Sequence, residues 1–264
     1  MDLKLTGKLA LVSGSTAGIG FAIAHSLAAE GARVIINGRT EARIRQATTE
    51  ILDELPQAHL ESLPVDLSTA DGVAETARGF PDVDILVNNL GVYEPKVFEE
   101  ITDEAWMAII ETNFMSGVRL SRAYLPRMNE KNWGRIVFIS SESGVNIPVE
   151  MIHYGVTKTM QIALARGLAE TTAGTGVTVN SVLAGPTRSE GVEGFIENMA
   201  TAKNLTAAQV EEEFFKSVRP ASLLQRFATC DEVASMVTYL ASPLAAATNG
   251  AAVRAEGGVV RSIL

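Results

Sequence analysis

The sequence has few of the residues that build disulfide frameworks and metal centres, with one cysteine, Cys230, and three histidines among 264 residues. A single cysteine excludes an intrachain disulfide, and neither cysteine clusters nor histidine pairs occur at ligand spacing. We therefore expect a cytoplasmic protein without a metal site. Long apolar runs are also missing: residues 1–8 lack the apolar stretch of a secretory signal, and no uninterrupted run has membrane-spanning length. Neither export nor membrane insertion is expected.

Positive charge is scarce as well. The chain has 22 Lys and Arg against 31 Asp and Glu, a formal net charge of −9. This balance argues against a nucleic-acid partner and favours a small neutral substrate over an acidic macromolecule. The hydrophobic content of 47% can supply a substantial core, and the length suits one large α/β domain over residues 1–264.

What the chain does contain is a repeated alternation of short apolar runs with helix-period segments. The runs predict strands at residues 8–13, 32–37, 60–65, 84–88, 135–140, 177–182 and 251–255. Strands that alternate with helices predict an α/β fold: a Rossmann-like, doubly wound parallel sheet of about seven strands with helices on both faces. Ligands bind outside the carboxyl ends of the strands in such sheets, and glycine or polar residues follow six of these strand ends.

The first strand runs into a glycine-rich turn that is a candidate phosphate-binding site. The glycines have the spacing G-x-x-x-G-x-G and open a helix. They let the backbone approach a pyrophosphate, and the helix N-terminus offers unpaired N–H groups. The alternative is a turn without a ligand, because glycine is common in turns. The candidate binding residues are Gly14, Ser15, Thr16, Ala17, Gly18, Ile19 and Gly20.

The ends of the second and third strands indicate the cofactor. In a dinucleotide fold the second strand end meets the adenosine ribose, where an acidic residue favours NAD. Positions 37–39 carry no acid, and Arg39 offers a forked cation suited to a phosphate. NADP(H) is therefore favoured over NAD(H), although Arg39 could also be a solvated residue at a helix start. Asp66 could receive the adenine amino group, or Asp66 or Ser68 could cap the next helix.

A hydroxyl, a phenol and an ammonium group are expected to converge after the fifth strand. Ser141 follows this strand, and Tyr154 and Lys158 are four residues apart, so they share one helical face. A phenol with a pKa of about 10 is a poor acid at neutral pH, and a nearby ammonium lowers that pKa. Tyr154 would then exchange a proton with a carbonyl oxygen that Ser141 holds. Chance spacing on an amphipathic helix is the alternative.

Two longer helical regions complete the pattern. Residues 103–130 predict a helix interrupted near Pro126, with Asn113 in its middle either on a solvated face or as a buried amide. Residues 190–226, here called the lid segment, predict two amphipathic helices without an intervening strand. Their apolar side either closes over a substrate or packs on the body as in ordinary helices. It comprises Phe195, Ile196, Met199, Val210, Phe214 and Phe215.

In this order the motifs resemble the short-chain dehydrogenase/reductase family over essentially the whole chain, and most of all its 3-oxoacyl-[acyl-carrier-protein] reductase-like group. Residues 13–20 correspond to its T-G-x-x-x-G-x-G, and residues 88–91 to its N-N-A-G. Tyr154 and Lys158 correspond to its Y-x-x-x-K. The serine thirteen residues before that tyrosine is Ser141, and the catalytic asparagine falls on Asn113.

The resemblance implies a role for each of these residues. Tyr154 would be the acid/base and Ser141 would orient the carbonyl. Lys158 would bind the nicotinamide ribose and lower the tyrosine pKa, and Asn113 would hold a water of the proton relay. Hydride would pass between nicotinamide and a substrate carbonyl carbon. Further cofactor contacts would come from Asp66 and Leu67 at the adenine, Asn89 near its ribose, Gly91 beside it, and Thr187 at the carboxamide.

Departures from the family pattern remove no reacting group, so we expect an active enzyme. Ser13, Leu90, Ala184 and Ser189 replace threonine, alanine, proline and threonine, and Leu90 adds bulk beside the cofactor. The resemblance also implies a homo-oligomer, a tetramer or dimer. The loops near the cleft lack net positive charge, which favours a free small carbonyl or alcohol over an acyl-carrier-protein or CoA thioester. A non-catalytic NADP(H) sensor and an NAD-dependent epimerase or dehydratase remain alternatives.

Overall fold

The computed structural model describes residues 2–263, with the backbone alone for Phe195. Within this range, seven strands form one parallel sheet in the order β3-β2-β1-β4-β5-β6-β9, and β7 pairs with β8 in a separate two-stranded sheet. The predicted doubly wound sheet is confirmed. The strands are β1 (Leu9–Val12), β2 (Arg33–Gly38), β3 (His59–Pro64), β4 (Ile85–Asn88), β5 (Gly134–Ser141), β6 (Val177–Ala184), β7 (Thr187–Arg188), β8 (Ala228–Thr229) and β9 (Ala252–Ala255).

Helices cover both faces of the large sheet because its strands present apolar side chains alternately to each side. Ala10 and Val12 of β1 pack with α1, α2 and α9, whereas Leu11 packs with α3, α5 and α6. The α-helices are α1 (Gly18–Ala29), α2 (Glu41–Glu54), α3 (Ala70–Gly79), α4 (Asp103–Ile110), α5 (Ser116–Glu130), α6 (Ile152–Glu170), α7 (Glu190–Lys203), α8 (Ala207–Ser217) and α9 (Cys230–Ala241). Within residues 2–263 no helix is long and apolar enough to cross a membrane.

The strand order reverses between β1 and β4, and this reversal positions the functional edge. β1 pairs with β2 on one side and with β4 on the other, and every pairing in the large sheet is parallel. The carboxyl ends of the central strands therefore lie at one edge. Connections diverge to opposite sides at such a reversal, which leaves a crevice for a ligand.

The expected helix over residues 103–130 is broken at a different place from the one predicted. Pro126 lies inside α5 without ending it, because Tyr124 and Met128 are buried against the sheet and hold the turns on either side. The break is instead a π-helical turn, Glu111–Met115, between α4 and α5. Such turns are common at functional sites, and this one contains Asn113.

The lid segment contains the two predicted helices, α7 and α8. They share a small apolar cluster that is separate from the two core layers of the body, built from Ile196, Val210, Phe215 and Phe227. Three aromatic rings in this part of the chain, those of Phe214, Phe215 and Phe227, lie 5.0–5.1 Å apart. The side chain of Phe195, also expected on the apolar side, lies outside the described part of the structure.

Candidate active site

The glycine turn between β1 and α1 has a backbone that other residues would not readily adopt. Gly14 and Gly18 have φ angles of +64° and +56°, a region that glycine enters at little cost. A Cβ atom on Gly20 would lie 2.3 Å from the carbonyl oxygen of Gly14 and 2.5 Å from Nδ2 of Asn89. The turn and the first residues of α1 therefore pack with no room for a side chain.

Asn37 at the end of β2 anchors this turn. This role was not predicted from the sequence, where Asn37 was considered only because it is not acidic. Its side-chain Oδ1 accepts a hydrogen bond from the Gly14 backbone amide (3.0 Å), and its backbone N–H donates to Ser15 Oγ (2.9 Å). Its Nδ2 donates to the carbonyl oxygens of Leu63 and Val65. Asn37 is 2% exposed, so it joins the turn to β3 through buried hydrogen bonds.

Asn89, the residue after β4, also holds this turn in place through hydrogen bonds. Its Nδ2 donates to the carbonyl oxygens of Ser13 (2.9 Å) and Gly14 (3.1 Å). Ser13 Oγ in turn accepts from the amides of Asn89 and Leu90, so serine provides the hydroxyl expected of the family's threonine. Contact of Asn89 with a ribose stays a prediction. Leu90 lines the cavity beside the turn.

The turn fits a pyrophosphate. Ala17 precedes α1 and has no side chain that could cap it, and Gly18, Ile19 and Gly20 place no acidic group in its first turn. The first N–H groups of α1 thus remain available as donors at the positive end of the helix dipole. A cavity of about 990 Å³ runs from this turn to Tyr154, a volume at the upper end of the usual range for ligand sites.

This cavity brings together most of the candidate residues, which come from motifs far apart in the chain. Its wall includes Gly14, Ala17, Gly18, Ile19, Gly20, Asn89, Gly91, Ser141, Tyr154, Lys158 and Thr187. The other candidates are not part of this wall. They are Ser15, Thr16, Arg39, Asp66, Leu67 and Asn113.

Arg39 and Asp66 lie together at the ends of β2 and β3. Hydrogen bonds from the Ser68 side chain and amide lower the pKa of Asp66, and the charge of Arg39 lowers it further. The capping interpretation of Asp66 or Ser68 is wrong, because Thr69 caps α3 by accepting from the Gly72 amide, while Asp66 Oδ1 accepts only from Ser68, with Oγ at 2.7 Å. Both side chains are exposed and available to a ligand. Adenine recognition by Asp66 and Leu67 stays a prediction.

Ser141, Tyr154 and Lys158 meet at the end of β5. Ser141 Oγ accepts a hydrogen bond from the Ser143 amide at 3.1 Å. Lys158 is buried, and its Nζ donates to the carbonyl oxygen of Ile139 (2.8 Å) and lies 5.5 Å from the centre of the Tyr154 ring. The helical spacing of Tyr154 and Lys158 thus directs both toward the serine.

Burial has the largest effect on the protonation of this group. It raises the pKa of Tyr154 to about 12, against a smaller lowering by the hydrogen bond with Ser141. Burial also lowers the pKa of Lys158 to about 8. In this structure burial therefore outweighs the expected lowering of the phenol pKa and favours the protonated phenol.

Asn113 is a buried amide, 1% exposed, so the solvated-face interpretation is wrong. From the π-helical turn its Nδ2 donates to Thr157 Oγ1 (3.1 Å) and to the Val92 carbonyl, while its Oδ1 accepts from the Val92 amide. Thr157 Oγ1 donates to the Tyr154 carbonyl. Asn113 thereby connects the loop after β4 to the helix of Tyr154, and its role in holding water stays a prediction.

The lid segment places fewer of its predicted apolar residues in the cavity wall than expected. Of its predicted apolar side, Phe214 lines the cavity, whereas Ile196, Val210 and Phe215 fill the interior of the lid itself. The wall also contains four charged residues that were not predicted from the sequence: Glu142, Glu150, Glu190 and Arg219. The signal for Glu142 was a carboxylate directly after Ser141, at the end of a strand that is buried throughout.

A parallel sheet with a glycine turn and a Ser-Tyr-Lys group at one edge defines a nucleotide-binding oxidoreductase fold. Comparison with known proteins agrees, since the chain matches the short chain dehydrogenase family over residues 8–200. The chain belongs to this family, and the resemblance read from the sequence is confirmed.

Relatives cover the full length. The chain is 50% identical over 263 residues to the uncharacterized oxidoreductase YvaG of Bacillus subtilis, with 100% of both chains covered. It is 33% identical to the D-beta-hydroxybutyrate dehydrogenase of Cupriavidus necator, covering 97% of this chain and 99% of that one. The L-sorbose reductase of Gluconobacter frateurii, solved with NADPH and L-sorbose, is 27% identical over 100% of both chains, with a TM-score of 0.93.

Proposed function

We propose that the protein is an NADP(H)-dependent oxidoreductase that interconverts a small carbonyl compound and its alcohol. The observation that carries the proposal is that Ser141, Tyr154 and Lys158 line the same cavity as the glycine turn. The NADPH bound by the related L-sorbose reductase supports the choice of cofactor, as does Arg39 at the position that meets the adenosine ribose in this fold.

The cofactor would occupy the crevice along the strand ends. The free amides of α1 would bind the pyrophosphate, Arg39 the 2′-phosphate, and Asp66 and Leu67 the adenine. Lys158 and Thr187 line the other end of the cavity, where they would bind the nicotinamide ribose and carboxamide. The chemistry that NADPH supplies when bound is hydride donation to the carbonyl carbon.

The chain's own residues control the proton. Tyr154, whose pKa is raised to about 12, donates its phenolic proton to the substrate oxygen as negative charge develops there. Ser141 holds that oxygen by a hydrogen bond. The Lys158 ammonium, fixed by the Ile139 carbonyl, stabilises the phenolate that remains, and Asn113 is assigned to the water through which the proton is replaced. In the reverse direction the same phenolate accepts the alcohol proton.

The organisation around the site follows from the same proposal. Residues 1–264 act as one domain, in which the lid segment closes over the substrate, since Glu190, Val192 and Phe214 line the cavity. Closure would exclude water from the reacting atoms. Self-association through α5 and α6, which flank β5, into a dimer or tetramer belongs to the proposal as well.

The test is oxidation of NADPH and NADH against aldehydes, ketones, diketones and 3-oxoacyl thioesters, followed at the nicotinamide absorbance band. We expect faster turnover with NADPH and with at least one class of free carbonyl. Turnover confined to thioesters would assign a thioester reductase instead. Tight NADPH binding, measured by fluorescence, without turnover of any compound would indicate a sensor.

A further inference from the structure

A charged cluster forms one wall of the cavity next to the reacting group. Glu142 follows Ser141 directly and is 3% exposed. Its Oε1 accepts from Arg219 Nε at 2.8 Å, and Arg219 Nη1 donates to Glu150 Oε1 at 3.2 Å. All three side chains line the cavity that contains Tyr154. The cluster thus joins the loop after β5 to the segment that follows α8, the second lid helix.

One atom of this cluster is unsatisfied. Glu142 Oε2 is buried and makes no hydrogen bond of normal geometry to a described residue, although the side chain of Ser143 is close enough to lower the pKa of Glu142. A buried carboxylate oxygen without a donor carries the full cost of its desolvation. A ligand hydroxyl at the cavity wall would supply that donor, and hydrogen bonds from a hydroxyl to a carboxylate are short and strong.

The charge of the cluster indicates what kind of ligand fits. Two carboxylates share one guanidinium, and the charge of Glu256 is close enough to add to the effect of burial in raising the pKa of Glu142. A carboxylate or phosphate on the substrate would have to compete with Glu142 and Glu150 for Arg219, and it would meet their repulsion. The wall therefore disfavours an anionic substrate and accepts a neutral one with a hydroxyl donor.

The cluster is also close enough to act on a substrate held at Tyr154. Glu142 and Ser141 are chain neighbours, and the charges of Glu142 and Arg219 shift the pKa of Tyr154 in opposite directions, upward and downward respectively. The rest of the lining combines apolar groups such as Val149, Met151 and Val192 with polar ones such as Ser189 and Glu190. A substrate would thus meet a hydrogen-bond acceptor on the side of Glu142 and apolar surface at the three apolar residues.

We propose that Glu142 is a specificity-determining residue that accepts a hydrogen bond from a hydroxyl group of an uncharged, hydroxylated carbonyl substrate. Arg219 and Glu150 are positioning residues that hold the carboxylate. This inference rests on the proposed function, because the hydroxyl is carried by the compound whose carbonyl oxygen Tyr154 protonates.

The test compares kcat/KM with NADPH for sets of ketones that share one carbon skeleton. Each set contains the hydroxyketone, its methyl ether, the ketone without the hydroxyl and the corresponding oxo acid, with the hydroxyl one, two or three carbons from the carbonyl. For at least one position we expect the wild-type protein to prefer the hydroxyketone over its ether by about tenfold or more, because the ether has no proton to donate. The oxo acids should be the poorest members.

Glu142→Gln converts this preference into a direct readout of the acceptor. The amide keeps the size of the side chain and its oxygen for Arg219, but its nitrogen donates where Oε2 accepted. We expect the ratio of hydroxyketone to ether to fall by about 10- to 100-fold, with NADPH affinity measured by fluorescence unchanged. The control, Glu212→Gln, alters an exposed residue of α8 outside the cavity wall and should leave the ratio within about twofold.

Several outcomes would overturn the inference. If kcat/KM falls equally for every ketone in Glu142→Gln, Glu142 has a structural role. If the wild-type protein prefers ethers, unsubstituted ketones or oxo acids, it does not recognise a substrate hydroxyl in the proposed way. In each case turnover of ketones would still stand, so the proposed function would survive. If Glu142→Gln does not fold, the wild-type comparison still tests the inference, because a preference for ethers, unsubstituted ketones or oxo acids would overturn it. Absence of turnover with every carbonyl class would instead refute the proposed function.

Discussion

The glycine turn and the lid segment border the same cavity but are held in place in different ways. The turn is fixed by backbone conformation and buried hydrogen bonds from Asn37 and Asn89. The lid segment is joined to the body by side-chain ion pairs, of which Arg43 with Glu190 (2.8 Å) is exposed and Arg219 with Glu142 is largely buried. Backbone hydrogen bonds from the Leu223 and Leu224 amides to the Gly257 carbonyl oxygen add to them. The lid segment carries its own small aromatic cluster rather than a share of the main core.

This difference indicates where the molecule tolerates change. Around the turn an added methyl group meets backbone atoms, which cannot move without disturbing β1 and β4. In the lid an exchanged side chain meets other side chains or solvent. A protein built in this way can keep one cofactor side and vary its substrate side, because the cofactor side depends more closely on main-chain geometry.

The largest effect is expected where the two regions meet. Tyr154→Phe should lower kcat by about 10²- to 10⁴-fold, because it removes the proton donor and little packing. The dissociation constant of NADPH, measured by fluorescence titration, should change by less than about twofold. Retained turnover would show that Tyr154 is not the proton donor.

The comparison itself is tested by adding the same methyl group to each region. Gly20→Ala places a Cβ 2.3 Å from the Gly14 oxygen, so we expect thermal unfolding to show a loss of about 1–3 kcal/mol. NADPH binding should weaken about tenfold or more. The matched variant Gly194→Ala in α7 has no atom within 4 Å of the new Cβ and should be neutral or gain up to about 1 kcal/mol. Equal losses in both would refute the distinction.

A substitution in the cofactor-binding region, but outside the glycine turn, should change the preference for NADPH over NADH and leave the turn intact. Arg39→Asp replaces the cation proposed for the 2′-phosphate by a group that accepts ribose hydroxyls. The ratio of kcat/KM for NADPH to that for NADH should fall by about 10- to 100-fold, with thermal stability preserved. An unchanged ratio would mean that another residue recognises the phosphate.

The smallest effect is expected for the exposed ion pair between α2 and the lid. Glu190→Gln removes the partner of Arg43, whose hydrogen bond lowers the pKa of Glu190. Exposed pairs contribute less than about 1 kcal/mol and are screened by salt. Urea unfolding should therefore differ little from wild type at low salt and not at all at high salt. A loss that persists at high salt would show that the lid is held more firmly than its exposure indicates.

Pattern and spacing were sufficient to predict the seven strands, the glycine turn and the Ser-Tyr-Lys group. The period of the apolar residues, the positions of the glycines and the i, i+4 spacing are local properties of the chain, and they do not depend on how distant segments pack. Strand ends were less accurate. β6 extends to Ala184 beyond the predicted residue 182, because β9 pairs with its final residues, and pairing partners cannot be read from one strand alone.

Local sequence alone therefore determined the class of fold, the family resemblance and the residues of the proposed reacting group. The tertiary structure decided that the helix breaks at Asn113 rather than at Pro126, and that Asn37 anchors the glycine turn. It also brought Arg219 to Glu142, 77 residues apart in the chain, to form a charged wall beside Tyr154. Burial, charge and hydrogen-bond partners depend on contacts between distant segments, and so these properties of the site appear only when the chain is folded.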